Sequence, residues 1–194
     1  MNKTFKQKSK TFVLRCYWDL WNSEKSANAY KSLFEMGFTD QTMQDFAIGW
    51  NSKNVRKPYS SFGLSGGKFE IPKGIVFPYL IDKEVHGFKI FSLSFDEIFK
   101  MLHGSYLPII FDTGKSITVI VQNEITGILI SQVFKNKVNV IITGLEINDK
   151  IEGLIKRSDS IIVENIHTDL IPRDKTNLYI YNSFESLVEL LKSF

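Results

Sequence analysis

The second half of the chain alternates short β-branched runs with helical patterns, and this rhythm limits the possible folds more than any other feature of the sequence. ITVIV (117–121), VNVIIT (138–143), SIIVE (160–164) and LYIY (178–181) read as strands. Helical spacing runs from about Glu124 to Phe134 and marks Ile147, Ile151, Leu154 and Ile155. It returns in Phe184, Leu187, Val188 and Leu191, after a capping-box-like start at Asn182-x-x-Glu185. Strand, crossover helix and strand in succession predict an α/β fold with a mostly parallel sheet and flanking helices.

The first half reads differently. Ala29, Leu33 and Met36 line one helical face, with Ala27, Tyr30 and Phe34 beside them, and Gly37 closes the helix. Thr39 is the expected N-cap of a second short helix, where Asp40 complements the positive end. Residues 51–68, rich in Ser, Asn, Lys, Gly and Pro, predict a long loop or turn region carrying Arg56, Lys57 and Lys68. GIVFPYL (74–80) and VHGFKIF (85–91) predict an antiparallel hairpin, in which Pro78 implies an edge strand. Alternation sends Lys89 to the opposite face from Phe88 and Ile90.

Composition excludes several classes. With 43% hydrophobic and 23% charged residues in 194, the chain can bury a substantial core and is not disordered in bulk. The lone Cys16 rules out an internal disulfide and a multi-cysteine zinc site, and His86, His103 and His167 lack metal-ligand spacing. No apolar run approaches the roughly 18 residues that span a bilayer, so neither membrane nor secretion is expected, and a reducing cytoplasm fits. The net charge of +3 is mild, but Lys3, Lys6, Lys8, Lys10 and Arg15 all precede the first acid, Asp19. Such a run reads as a basic N-terminal arm over 1–23, either solvated or touching phosphate. Tyr17, Trp18 and Trp21 follow it at near-helical spacing, as a stacking platform for bases or as packing.

In an open parallel sheet, reactive groups gather at the carboxyl ends of the strands. Those ends offer Gln122, Asn123 and Glu124, then Thr143, Gly144 and Glu146, then Glu164, Asn165, His167 and Asp169.

VIVQNEITGILIS (119–131) resembles the first TOPRIM motif of bacterial- and phage-type DNA primases, where a strand ends in a catalytic glutamate and a helix begins. The Gly144 turn after VNVIIT resembles the next turn of that domain, and KRSDSIIVENIHTD (156–169) the run into its metal-binding Asp-x-Asp. Upstream, NAYKSLFEMGFTDQTMQDFAIGW (28–50), IPKGIVFPYL (71–80), GFKIF (87–91) and KMLHGSYLPIIF (100–111) resemble the primase core's entry and pre-TOPRIM elements, in the same order. The resemblance spans roughly residues 24–170 and implies, after the basic arm (1–23), a primase-type α+β subdomain (24–112) and a TOPRIM-like α/β subdomain (113–194).

It also implies magnesium, held by carboxylates at the strand ends, as the cofactor of nucleotidyl transfer. Here the acids depart from the pattern. Gln122 stands at the catalytic glutamate, and Thr126 where a second acid often lies. The Asp-x-Asp is replaced by Glu164-x-Ile166 or Asn165-x-His167, depending on a one-residue register. Glu124 and Glu164 are the remaining candidate catalytic and metal-binding acids, although Glu124 also suits the helix dipole. Lys68, Lys89, Lys100, His103, Arg56 and Lys57 are the candidate nucleic-acid contacts, each also readable as an ordinary surface residue.

Three functions are therefore expected to compete. The first is a primase-like, catalytically weakened nucleic-acid-binding replication protein of a plasmid, phage or other mobile element, with single-stranded DNA or primer-template as partner. The second is an active DNA primase using Glu124 and Glu164 with a partner subunit. The third is an interaction module that docks a helicase or polymerase.

Overall fold

The computed structural model describes residues 3–81, 84–92, 100–101, 108–142, 149–164, 171 and 177–194. They fall into two units, Met1–Tyr106 and Leu107–Phe194.

The lysine-rich N-terminal segment, expected as an arm, is a helix, α1 (Lys3–Asn22), in the first unit. Its charge run hides an apolar stripe. Phe5, Phe12, Val13, Cys16 and Leu20 are buried, and their spacing places them on one helical side. Burying a large apolar side chain contributes about 1.5–3 kcal/mol as an upper figure, so the stripe outweighs the solvation of the lysines, which stay on the other faces.

The stripe packs on an antiparallel sheet of β1 (Gly49–Asn51), β4 (Gly74–Ile81), β5 (Glu84–Phe91) and β6 (Lys100–Met101), in the order β1-β4-β5-β6. Phe5, Phe12, Val13 and Cys16 share a core with Val76, Val85, Phe88 and Ile90. The approach is closest at Gly49, where an added Cβ would lie 2.5 Å from the Cys16 carbonyl carbon and 2.6 Å from the Tyr17 nitrogen. Only a residue without a side chain fits there.

Beyond α1, α2 (Ala27–Glu35) ends at Gly37, whose φ of 95° closes the helix as expected. α3 (Asp40–Asp45) begins at Thr39, whose hydroxyl accepts from the Thr42 N–H at 3.2 Å. The expected loop of 51–68 instead contains β2 (Val55–Pro58), which pairs antiparallel with β3 (Lys68–Ile71) around a 3-10 turn at Tyr59–Phe62. Pro58, Gly66 and Gly67 dominate its composition and mask these short strands. Pro78 lies on an interior strand of the sheet, but β1 pairs only with Gly74, Ile75 and Val76, so among the described residues no strand faces Pro78 on that side.

The second unit is built on a five-stranded, mostly parallel sheet in the order β11-β10-β8-β9-β7. Its strands are β7 (Ile109–Phe111), β8 (Ile117–Val121), β9 (Asn139–Ile142), β10 (Ser160–Glu164) and β11 (Leu178–Tyr181), and only β7 runs antiparallel. The expected boundary at 112/113 and the observed one at 106/107 differ by β7, which pairs with β9.

α4 (Glu124–Val133) covers the sheet face of Val121 and Ile142, so closely that a Cβ on Gly127 would meet the Ile142 side chain at 2.4 Å. α5 (Asp149–Arg157) packs Ile151, Leu154 and Ile155 on the opposite face, against Ile120, Ile141, Ile161 and Val163. α6 (Phe184–Lys192) is capped by Ser183 and Ser186, one residue later than the expected Asn182 start; Phe184 is therefore exposed, while Leu187 and Leu191 are buried.

Asn139 fixes the opposite end of the sheet. Its Oδ1 accepts from the Thr113 N–H at 2.9 Å, and its Nδ2 donates to the Lys115 carbonyl at 2.6 Å and to Thr118 Oγ1 at 3.1 Å. Among the described residues, no helix is long and apolar enough to cross a membrane.

Candidate functional site

The carboxyl ends of β8 and β10 lie side by side in the second unit. The pairing of Ile120 with Val163 sets Glu164 beside Val121, directly before Gln122. Neighbouring strands run about 4.8 Å apart, and Gln122 is one residue on, so the two positions share one rim of the sheet. Glu164 and Val121 point to the α4 side, since their neighbours Val163 and Ile120 face α5.

Asn123 turns the chain into α4, its Oδ1 accepting from the Ile125 N–H at 2.8 Å and the Thr126 N–H at 3.3 Å. Glu124 is thereby the first residue of α4. It is 1% exposed, whereas Gln122 lies in solvent and Glu164 is half-buried. On β11, Tyr181 is opposite Glu164, and its hydroxyl donates to the Ile120 carbonyl at 3.4 Å. Burial, with the Glu164 charge second, pushes the Tyr181 phenol well above its ordinary value, so it stays a neutral donor.

The rim's fit to magnesium follows from these placements. A magnesium ion keeps several waters and binds through one or two carboxylates together with substrate phosphates, so its acids must face the open crevice. Glu124 is covered, Gln122 has no charge, and among the described residues Glu164 alone presents a carboxylate at the rim. Among the described residues, no group of three or more His, Cys, Asp or Glu gathers that could hold a metal ion. The described rim does not fit a two-carboxylate magnesium site. Thr143, Gly144, Glu146, Asn165, His167 and Asp169 lie outside the described residues.

The candidate nucleic-acid contacts sit on two ribbons of the first unit. Arg56, Lys57 and Lys68 are exposed on the β2–β3 ribbon, where Lys57 is opposite Phe69 and Lys68 opposite Pro58. Lys89 is on β5 opposite Phe77, its Nζ 5.6 Å from the centre of the Tyr79 ring. α1 packs on Phe88 and Ile90, so Lys89 belongs to the other face of that sheet. Lys100 pairs with Ile90 on β6, which brings its backbone next to β5. His103 lies outside the described residues.

A cavity of about 460 Å3 in the first unit was not anticipated. Lys8 and Arg15 of α1 line it together with Lys57 of β2. The missed signal is the Lys8, Phe12, Arg15 spacing, which is one helical stripe once residues 3–22 are read as a helix rather than an arm. Of the aromatic cluster, Trp18 is 66% exposed, while Trp21 packs at 5.9 Å edge-on to Tyr30.

No protein-family model matches the chain, and no curated protein matches it in sequence. Solved structures do match. The DnaG catalytic core is 12% identical over 97% of this chain and 76% of that one, with a TM-score of 0.66. The DnaG primase catalytic domain bound to single-stranded DNA is 15% identical over 84% of this chain and 61% of that one, at 0.64. The RNA polymerase domain of Mycobacterium tuberculosis primase DnaG, in complex with a double-stranded DNA oligomer with a 6-nucleotide overhang, is 12% identical over 84% and 64%, at 0.61. The chain thus spans 61% and 64% of the length of these two DNA-bound structures. An α+β unit of helices and antiparallel sheet, followed by a mostly parallel sheet with flanking helices, is the fold of the bacterial primase catalytic core.

Proposed function

We propose that this chain is a primase-like, nucleic-acid-binding protein of DNA replication whose nucleotidyl-transfer chemistry is weakened. The observation that carries this reading is the strand-end rim of the second unit. It keeps the adjacency of β8 and β10, but carries Gln122 in place of a carboxylate, a covered Glu124 and, among the described residues, a single rim acid, Glu164. Phosphoryl transfer needs concentrated negative charge to hold divalent cations, and the described part of the rim supplies little.

Binding has different requirements. Phosphate is held by lysines and arginines, independent of sequence, and is released by salt. Lys89 on one face of the first sheet, with Arg56, Lys57 and Lys68 on the ribbon, offers such groups. The DNA-bound neighbours add support by fold likeness. We place the protein in the cytoplasm, with a single strand or primer-template as ligand and a replicative helicase or polymerase as a further partner.

The test is a pair of assays on the same preparation. Fluorescence anisotropy with labelled single-stranded DNA is expected to show binding, and a primer-synthesis assay with magnesium or manganese is expected to give no product. Absence of binding at low salt would refute the reading. Primer synthesis that is lost in Glu164→Gln would replace it with an active transferase.

A further inference from the structure

The cavity beside α1 combines three features that bear on its ligand. Lys8, Arg15 and Lys57 line it, and among the described residues no acidic side chain does. Its apolar wall is Phe12, Phe62 and Ile71, with the two rings buried. Its volume of about 460 Å3 is that of a small-molecule site.

The wall and one cation are already fixed in place. Phe12 stacks on Phe88 at 4.4 Å between centroids, and the Arg15 guanidinium lies 4.9 Å from the centre of the Phe12 ring. Arg15 also donates to Asn51 Oδ1 at 3.3 Å, and Asn51 is itself anchored by its Nδ2 to the Pro72 carbonyl at 2.6 Å. A neutral amide orients the guanidinium without cancelling its charge, which leaves the cavity positive. Lys8 and Lys57 stand exposed at its edge, from α1 and β2.

From this arrangement we infer that the α1 cavity is a binding site for a nucleoside phosphate. The phosphates meet Lys8, Arg15 and Lys57, and the flat base lies against the Phe12, Phe62 and Ile71 wall. Charge-assisted hydrogen bonds fix the anion, and Arg15 recognises it through its planar fork of donors. The site is separate from Lys89, which belongs to the opposite face of the sheet under α1, and it uses no group of the strand-end rim. The nucleotide can be free or a unit of a strand, and the chemistry is the same.

Calorimetric titration of the full chain with ATP, in EDTA so that no divalent cation contributes, tests the assignment. Lys8→Glu and Lys57→Glu are each expected to weaken ATP by about tenfold or more, whereas Lys31→Gln, on exposed α2, leaves it unchanged. Both reversed lysines are solvent-exposed, so the variants fold, and far-ultraviolet circular dichroism checks this.

No heat with ATP, or equal affinity in both reversals, overturns the site. Inorganic triphosphate binding as tightly as ATP overturns the nucleotide assignment, because the apolar wall then contributes nothing. Displacement of ATP by oligothymidylate identifies a strand as the source, and its failure identifies the free nucleotide; either supports the pocket. Oligothymidylate binding without ATP binding sinks the pocket and spares the proposed function, and the converse result does the reverse.

Discussion

Gly49→Ala is the sharpest perturbation of the first unit. The new methyl would stand 2.5 Å from the Cys16 carbonyl carbon, 2.6 Å from the Tyr17 nitrogen and 2.9 Å from the Cys16 Cβ. Two of these atoms are backbone of α1, so no rotamer change relieves the clash; β1 and the helix must separate. Overpacking of a core costs about 1–3 kcal/mol when side chains can yield, and with backbone on both sides about 3 kcal/mol is expected here. For a unit of this size that lowers Tm by more than about 10 °C. Thermal unfolding followed by circular dichroism, with urea titration of the same variant, measures it. Gly67→Ala is the control, since nothing lies within 4 Å of its added Cβ. A Gly49→Ala loss no greater than that of Gly67→Ala would refute the docking of α1 on β1 and restore the reading of residues 1–23 as a solvated arm.

Three more outcomes follow. Burial pushes the Cys16 thiol up to about 12, so alkylation at pH 8 should proceed only as fast as the first unit opens, and labelling of the native chain at the rate of a free thiol would contradict this. The ion pair with Arg157 holds the Asp112 carboxyl below its ordinary value. A carboxyl depressed in the folded state adds stability above its unfolded pKa and loses it as pH falls through the folded one. Asp112→Asn should therefore be less stable than the parent at neutral pH and equal to it in acid, with a gap that salt narrows because the pair is largely exposed. Gly153→Ala, on the solvent side of α5 with nothing within 4 Å of the new Cβ, should stabilise by about 0.5–1 kcal/mol in urea unfolding; a loss would argue against the helix.

The second unit was largely legible because each strand is a dense β-branched run and each helix has its own period. ITVIV, SIIVE and LYIY became β8, β10 and β11 with the expected bounds. The Thr39 cap was legible for a similar reason: a hydroxyl before an acidic first turn is a local signal that needs no tertiary information. Where strong composition competes with weak periodicity, the reading failed. Five basic residues concealed the α1 stripe, and glycine-rich punctuation concealed a ribbon of four-residue strands.

The rim divides in the same way. That Gln122 and Glu164 share a rim follows from alternation, which sets parallel strand ends on one side of the sheet, whereas the direct pairing of β10 with β8 is a strand order that alternation does not fix. The burial of Glu124 depends on how α4 settles on Val121 and Ile142 through Gly127, a tertiary fact that no local spacing encodes. The α1 cavity needed two segments far apart in sequence, and neither alone suggests a pocket.

The salt dependence of single-strand binding tests the central claim most directly, with wild type and Lys89→Gln measured side by side. Binding with a linear fall of log K against log salt is predicted, and removing one phosphate contact should make the slope shallower by about 0.7. A chain that fails to bind at the lowest salt, or whose affinity and slope ignore Lys89, would contradict it.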